Sequence, residues 1–289
     1  LAGAPRPLLI TGPPLARPRG AALCQQLRDA TGVAVVCMES PRGIGDPCLG
    51  AFGDVLPEAD LIVLLGKQTD FTLKFAAPPA VNANCRFIVM DADIKVLRQS
   101  IATLKAGRVL ASHVADAPEG ARTLIAESLK NPLKTNTYKN HVEEAVAYRP
   151  AAWVDAKAQS PGVVHPLDIG RAVQPWLDRA DDPIFISDGG EVGQWAQACI
   201  RAGTRLINGV AGSIGSAIPF ALAARVARPN ATIIATLGDG TFGFHMAEFD
   251  TAARHKLPFV AVIGNDSTWN AEYQIQLRAY GKDRTHGCE

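Results

Sequence analysis

The chain has 289 residues, of which 47% are hydrophobic and 20% charged, a balance typical of soluble globular proteins with about two domains. Its formal net charge of +1 argues against a nucleic acid or an anionic membrane as the partner. We find neither an apolar run of membrane-spanning length nor a secretory signal pattern. The cysteines lack C-x-x-C spacing, so we expect reduced thiols and a cytoplasmic location.

Short apolar runs alternate with helix-like segments through the first third of the chain. Between the first two runs, GAALCQQLRDATG predicts a helix that ends at Gly32. Continuous Val, Ile and Leu runs indicate strands buried on both faces, as in a parallel sheet. Residues 1–130 therefore predict one α/β domain. Its predicted strands are RPLLITG, VAVVCME, DLIVLLG and RFIVMDAD.

Residues 131–165 are polar and rich in proline, which predicts a linker that could contain one short helix. A helix then begins at Pro166, and the alternation resumes. Residues 166–289 therefore predict a second parallel α/β domain, and we expect it to be incomplete. Its predicted strands are PIFISDGG, TRLING, ATIIATLGDG and PFVAVIGND, and its helices include GSAIPFALAARVA and FHMAEFDTAARHK, with Met246, Phe249 and Ala253 on one face.

Two polar turns follow neighbouring strands of this second domain. Gly238-Asp239-Gly240 ends one predicted strand, and Asn265-Asp266 ends the next one along the chain. Because sequential parallel strands are usually adjacent, both turns should lie at the same edge of the sheet. Two carboxylates beside a helix start suit a magnesium-bound diphosphate. The alternative is a pair of unrelated turns, since Asp, Asn and Gly are common turn residues.

These turns belong to a longer set of motifs. The motifs are Asp188-Gly189-Gly190, Gly212-Ser213-Ile214-Gly215 with Gly209 before it, Pro219, Gly238-Asp239-Gly240, Glu248, Thr251 and Asn265-Asp266. Their order resembles the diphosphate-binding domain of thiamine-diphosphate-dependent enzymes. The branch that looks closest is the acetolactate synthase-like and 2-hydroxyacyl-CoA lyase branch, and ADLIVLLGKQTDFTLKF resembles its central domain. Most superfamily members carry Asn-Asn where this chain has Asn-Asp, but that branch also carries Asn-Asp.

The resemblance implies roles for individual residues. Side-chain oxygens of Asp239 and Asp266 and the backbone carbonyl of Thr268 would bind Mg²⁺. Gly240 and Thr241 would meet the diphosphate. These residues belong to a larger cofactor-binding set, in which Ile214 would hold thiamine diphosphate in its folded shape. That set is Gly212, Ser213, Ile214, Gly238, Asp239, Gly240, Thr241, Asp266 and Thr268.

The implied activity is cleavage or joining of carbon–carbon bonds in 2-keto acids or 2-hydroxyacyl-CoA substrates. A decarboxylase of the oxalyl-CoA or benzoylformate type is the alternative within the class. No catalytic residue is assigned in this chain, because the superfamily's glutamate lies in an N-terminal pyrimidine-binding domain that we expect to be absent. The resemblance also implies a homodimer or homotetramer at full length, and leaves FAD or ADP open as a ligand of the first domain.

Outside the enzyme class, a nucleotide-binding module or a non-catalytic interaction module remains open. The lack of G-x-G-x-x-G after any predicted strand argues against the nucleotide-binding module. Asp91 and Asp93 suit either ribose binding or capping of a loop. Trp269 and Asn270 suit either a substrate pocket or ordinary packing. His245 and His255 are expected at the surface.

Overall fold

The computed structural model describes the chain except residues 2, 17, 132–135, 159, 209, 210 and 289. The chain forms two compact units, Leu1–Arg149 and Pro150–Glu289. Each unit contains its own parallel sheet, so the predicted α/β class with two parallel-sheet domains is confirmed. Within the described ranges, no helix is long and apolar enough to cross a membrane.

The first unit is built on a five-stranded sheet in the order β2-β1-β3-β4-β5. All neighbouring strands pair in parallel, and apolar clusters cover both faces of the sheet. The predicted strands are all present. The elements are β1 Pro7–Thr11, α1 Pro18–Thr31, β2 Ala34–Cys37, α2 Phe52–Val55, β3 Leu61–Leu65, β4 Arg86–Asp91, α3 Ile94–Leu104, β5 Val109–Val114, α4 Ala117–Lys130 and α5 Thr137–Ala147.

A helix and a strand extend the first unit beyond the strands and helices predicted for residues 1–130. Helix α5 lies inside the predicted linker, and Tyr138, Val142 and Ala145 bury one face of it in the first unit's core. The observed boundary between the units therefore lies after Arg149. Strand β5 was not predicted, because it is an edge strand whose side chains are mostly exposed.

The second unit contains a four-stranded parallel sheet in the order β7-β6-β8-β9. The middle strands β6 and β8 are almost wholly buried, whereas every residue of the edge strand β9 is at least partly exposed. The elements are α6 Pro166–Asp178, β6 Pro183–Ser187, α7 Gly190–Cys199, β7 Thr204–Ile207, α8 Ala217–Ala227, β8 Thr232–Gly238, α9 Asp239–His245, α10 Glu248–His255, β9 Val260–Gly264 and α11 Asn270–Tyr280.

The segment between β8 and β9 corrects the predicted single helix. Helix α9 begins at Asp239, so Asp239 and Gly240 are its first residues rather than a turn that precedes it. A second helix, α10, follows after a break and contains no buried residue. Met246 and Phe249, which were predicted to share one helical face, are 57% and 37% exposed. The described part of the second unit does not bury this face.

Candidate functional site

The carboxyl ends of β6, β8 and β9 form the edge of the sheet that contains the predicted site. Gly238 at the end of β8 pairs in register with Gly264 at the end of β9. Asp239 and Asn265-Asp266 therefore follow adjacent strands, and the predicted adjacency is confirmed. Strand β6 pairs with the other side of β8 through Ser187 and Thr236. This edge is where open α/β sheets bind ligands.

A cleft of about 430 Å³, measured with its open side included, lies at this edge. The structure brings most of the predicted site residues together there, and their neighbours along the chain complete the lining. The lining residues are Gly189, Gly190, Glu191, Val192, Ile214, Gly238, Asp239, Gly240, Thr241, Asp266, Thr268, Trp269, Asn270, Ala271 and Glu272.

Gly212 and Ser213 are not among these lining residues. Gly212 has a φ of +74°, and its carbonyl accepts a hydrogen bond from the Asn208 side chain at 3.0 Å. Ser213 is exposed. These two residues shape the turn before Ile214, and only Ile214 reaches the cleft. Gly209, which belongs to the same glycine-rich segment, lies outside the described residues.

The first turn of α9 forms one wall of the cleft. Gly238 precedes the helix in an extended conformation, and the Thr241 hydroxyl donates a hydrogen bond to the Gly238 carbonyl at 3.0 Å. A Cβ atom built on Gly240 would lie 3.1 Å from a ring carbon of Trp269. Glycine at position 240 therefore lets the indole approach the backbone closely, and a larger residue would displace the ring.

The loop after β9 presents Asp266 at the surface. Asn265 Oδ1 accepts from the Ser267 N–H at 2.9 Å, and Ser267 adopts a left-handed φ of +58°. Asp266 Oδ1 accepts from both the N–H and the hydroxyl of Thr268, each at 3.2 Å. These bonds fix the loop, and Asp266 remains exposed. Within the described residues, no group of three His, Cys, Asp or Glu side chains is placed to hold a metal ion.

The residues after β6 were not in the predicted binding set, although the Asp188-Gly189-Gly190 motif follows an apolar run just as Gly238-Asp239-Gly240 does. Glu191 in α7 lines the cleft, and its Oε1 accepts from Trp195 Nε1 at 3.1 Å. Trp195 packs against Trp153 and His165, with ring centroids 5.1 and 5.6 Å away. The signal that could have found Glu191 was its place just beyond the end of a central strand.

The cleft is strongly acidic. Carboxylates of Glu191, Asp239, Asp266 and Glu272 line it, and its described lining contains no lysine or arginine. The donor set therefore suits a hard divalent cation held by oxygen atoms.

Asp91 and Asp93 in the first unit have a capping arrangement. Asp91 Oδ1 accepts from the Asp93 N–H at 2.9 Å. Asp93 Oδ1 in turn accepts from the Lys95 N–H at 2.7 Å, which makes Asp93 the N-cap of α3. Of the two roles that the sequence left open, the structure shows the capping role.

Comparison with known proteins gives matches in both units. Residues 188–289 match the family described as "Thiamine pyrophosphate enzyme, C-terminal TPP binding domain". Human 2-hydroxyacyl-CoA lyase 2 is 27% identical over 307 aligned positions, which cover 98% of this chain and 45% of the relative. The acetolactate synthase large subunit of Mycobacterium tuberculosis is 27% identical over 97% of this chain and 50% of the relative.

A solved structure also aligns with the whole chain. The thiamine diphosphate-dependent 4-hydroxybenzoylformate decarboxylase of Rhodococcus jostii RHA1 matches with a TM-score of 0.73 and 18% sequence identity, over 100% of this chain and 53% of that protein. At this identity the match shows a shared fold. The chain spans roughly half the length of these relatives. The bovine 2-hydroxyacyl-CoA lyase 2 is 29% identical, and the alignment covers 36% of its length.

Proposed function

We propose that this chain, a member of the thiamine-diphosphate-dependent enzyme superfamily, supplies the metal- and diphosphate-binding half of a site that cleaves or joins carbon–carbon bonds. The observation that supports the proposal most directly is the meeting of Asp239, Asp266 and Ile214 in one cleft. These residues come from three separate stretches of the chain. The fold brings them to the edge where α/β sheets bind ligands.

The residues present fit the cofactor. Asp239 and Asp266 both line the cleft, and their carboxylates with the carbonyl of Thr268 would hold Mg²⁺. Gly240 carries no side chain, and with Thr241 it lies in the first turn of α9, where N–H groups lack helical partners. These two residues would bind the diphosphate. Once bound, thiamine diphosphate supplies a nucleophilic carbon and an electron sink for the reaction.

The charge of the cleft bears on the substrate. Glu191 and Glu272 add two carboxylates to the pair that would bind the metal. A free 2-keto acid would bring a further negative charge beside its reacting carbonyl, whereas a 2-hydroxyacyl-CoA presents an uncharged thioester there. We therefore favour 2-hydroxyacyl-CoA over 2-keto acids. The 2-hydroxyacyl-CoA lyase 2 relatives are consistent with this choice.

Binding of thiamine diphosphate tests the proposal. Calorimetric titration of the chain with thiamine diphosphate in the presence of Mg²⁺ should show binding, and EDTA should abolish it. Titration with NAD or FAD should give weaker signals or none. Asp239→Ala should reduce the affinity at least about tenfold, because it removes one of the two metal carboxylates.

Asp250→Ala is the matched control for Asp239→Ala. Asp250 is an exposed carboxylate of α10 that pairs with Arg254 and does not line the cleft. This variant should bind like the unsubstituted chain. If Asp239→Ala also retains full affinity, or if NAD or FAD binds in preference to thiamine diphosphate, the proposed cofactor site is wrong.

A further inference from the structure

Asp188 is a fully buried carboxylate at the carboxyl end of β6. Its relative exposure is 0%. Oδ1 accepts from the N–H groups of Gly189 at 2.7 Å and Gly215 at 2.9 Å, and Oδ2 accepts from the Ala217 N–H at 2.9 Å. A buried charge is costly unless it is paired or well hydrogen-bonded. Here three backbone donors satisfy it, one of them at the start of α8, where the helix dipole favours an anion.

These hydrogen bonds hold the turn that contains Ile214. Gly215, whose N–H donates to Asp188, is held on its other side as well, because its carbonyl is 2.7 Å from His245 Nδ1. On the other side of Ile214, the Gly212 carbonyl accepts from Asn208. Ile214 therefore lies between Gly212 and Gly215, whose backbones are hydrogen-bonded to residues from other parts of the second unit. Without Asp188, the N–H groups of Gly215 and Ala217 would lose their acceptor.

The Ile214 side chain packs onto the segment that contains Asp188. A Cβ atom built on Gly189 would lie 2.7 Å from Ile214 Cγ2, so the two segments are in direct contact. Gly189 and Ile214 both line the cleft. Asp188 lies behind this contact, out of reach of a ligand, and acts on the cleft only through the residues that it bonds.

We infer that Asp188 is a positioning residue, which fixes the Ile214 turn in its ligand-binding position before any cofactor arrives. The inference rests on the proposed function, in which Ile214 supports the folded cofactor. A site that is already ordered avoids the entropic cost of ordering it upon binding. Loss of Asp188 should therefore weaken cofactor binding although the residue never touches the cofactor.

Amide hydrogen exchange of the unsubstituted chain gives the first test. The first N–H groups of a helix have no partner within the helix. If Asp188 binds the N–H groups of Gly215 and Ala217, both should exchange slowly, whereas the N–H of the exposed Ser213 should exchange fast. If Gly215 and Ala217 exchange as fast as Ser213, the inference is overturned without any variant.

Two substitutions at Asp188 give the second test. Asp188→Asn keeps one acceptor oxygen but turns an NH₂ group toward a backbone donor, and Asp188→Ala removes both oxygens. Amide exchange at Gly215 and Ala217 should be slowest in the unsubstituted chain, faster in Asp188→Asn and fastest in Asp188→Ala. In Asp188→Ala it should be about tenfold or more faster than in the unsubstituted chain. Thiamine diphosphate affinity should fall in the same order, by about tenfold for Ala.

Asp182→Asn is the matched control, since Asp182 precedes the other end of β6 and pairs with Arg228. It should lower the melting temperature while leaving both the turn amides and the cofactor affinity unchanged. If the Asp188 variants lose amide protection but bind the cofactor no more weakly than the control, Asp188 is only structural and the inference fails. If the unsubstituted chain binds no thiamine diphosphate, the proposed function fails and the positioning role fails with it.

Discussion

At the scale of single residues, Asp266 is the site residue in which this chain departs from the commoner Asn-Asn pair. Its Oδ1 accepts two hydrogen bonds from Thr268, and the residue is otherwise exposed. An asparagine would keep one oxygen in the same place and remove one negative charge. We expect Asp266→Asn to retain Mg²⁺-dependent binding of thiamine diphosphate, with an affinity change of at most ~1–2 kcal/mol. Titration calorimetry measures the change, and complete loss of binding by a folded variant would show that the carboxylate is required.

Lys67 and Asp70 form a titratable pair in the first unit. Lys67 Nζ is 3.1 Å from Asp70 Oδ1 and 2.5 Å from the Thr72 hydroxyl. Burial raises the pKa of Asp70, but the hydrogen bond from Thr72 and the charge of Lys67 outweigh burial, and the net pKa lies below 3.8. For Lys67, which is more deeply buried, burial outweighs the attraction of Asp70 and lowers the pKa below 10.5.

The lowered pKa of Asp70 predicts a loss of stability in acid. A carboxyl group with a lowered folded-state pKa contributes stability above its unfolded value of 3.8, and this contribution disappears as the pH falls through the folded value. The difference in unfolding free energy between the parent and Asp70→Asn should therefore be largest near neutral pH and shrink below pH 3.8. Urea unfolding at a series of pH values measures it. The exposed Asp54 supplies the control Asp54→Asn, and a difference that does not change with pH would contradict the prediction.

At the scale of elements, the sequence predicted those strands that are buried on both faces. Strands β1, β3, β6 and β8 have nearly unbroken apolar runs, because each lies between two layers of helices. Strand β5 escaped prediction because its edge position leaves Leu110 and Val114 about half exposed, and Ser112 and His113 interrupt the run. An unbroken apolar run is the signal that predicts a strand, and β5 lacks such a run, whereas the less buried β9 has one in Val260–Gly264.

The same reasoning explains what was missed at the site. Asp239 and Asp266 follow strands that are adjacent both in sequence and in the sheet, so their meeting could be predicted. Asp188 bonds to residues 27 and 29 positions later in the chain, and the sequence contains no local sign of that contact. The closure of Trp269 over Gly240 also depends on tertiary packing.

Helix α5 shows how one hydrogen bond can hold an element in a core. The Tyr138 hydroxyl donates to the Val55 carbonyl at 2.8 Å, and burial raises the pKa of Tyr138 well above its ordinary value, so the group remains a donor. Tyr138→Phe would leave that carbonyl buried without its partner. We expect a loss of about 1–2 kcal/mol in the free energy of unfolding, measured with urea. Tyr148→Phe, on a residue that is 55% exposed, should have little effect, and equal losses in the two variants would refute the argument.

At the scale of the whole molecule, the second unit leaves an apolar surface uncovered next to its cleft. Trp269 lines the cleft and is 38% exposed, and Phe244 packs edge-on against it while 54% exposed. Val260 and Ile263 of the edge strand β9 are 54% and 40% exposed. Exposed apolar patches of this kind are typical of surfaces that another protein segment covers. Phe244 and Trp269 therefore form an exposed aromatic pair beside the cleft.

The last prediction concerns what the 289 residues do alone. They present the candidate metal ligands, the first turn of α9 and Ile214, whereas the resemblance places the catalytic glutamate in a separate pyrimidine-binding domain. We therefore expect the chain by itself to bind thiamine diphosphate weakly and to show no lyase or ligase turnover. The measurement is product formation from a 2-hydroxyacyl-CoA and from a 2-keto acid, with Mg²⁺ and thiamine diphosphate present. Robust turnover that Glu191→Gln or Glu272→Gln abolishes would contradict this expectation, because one of these cleft glutamates would then be acting as the catalytic group.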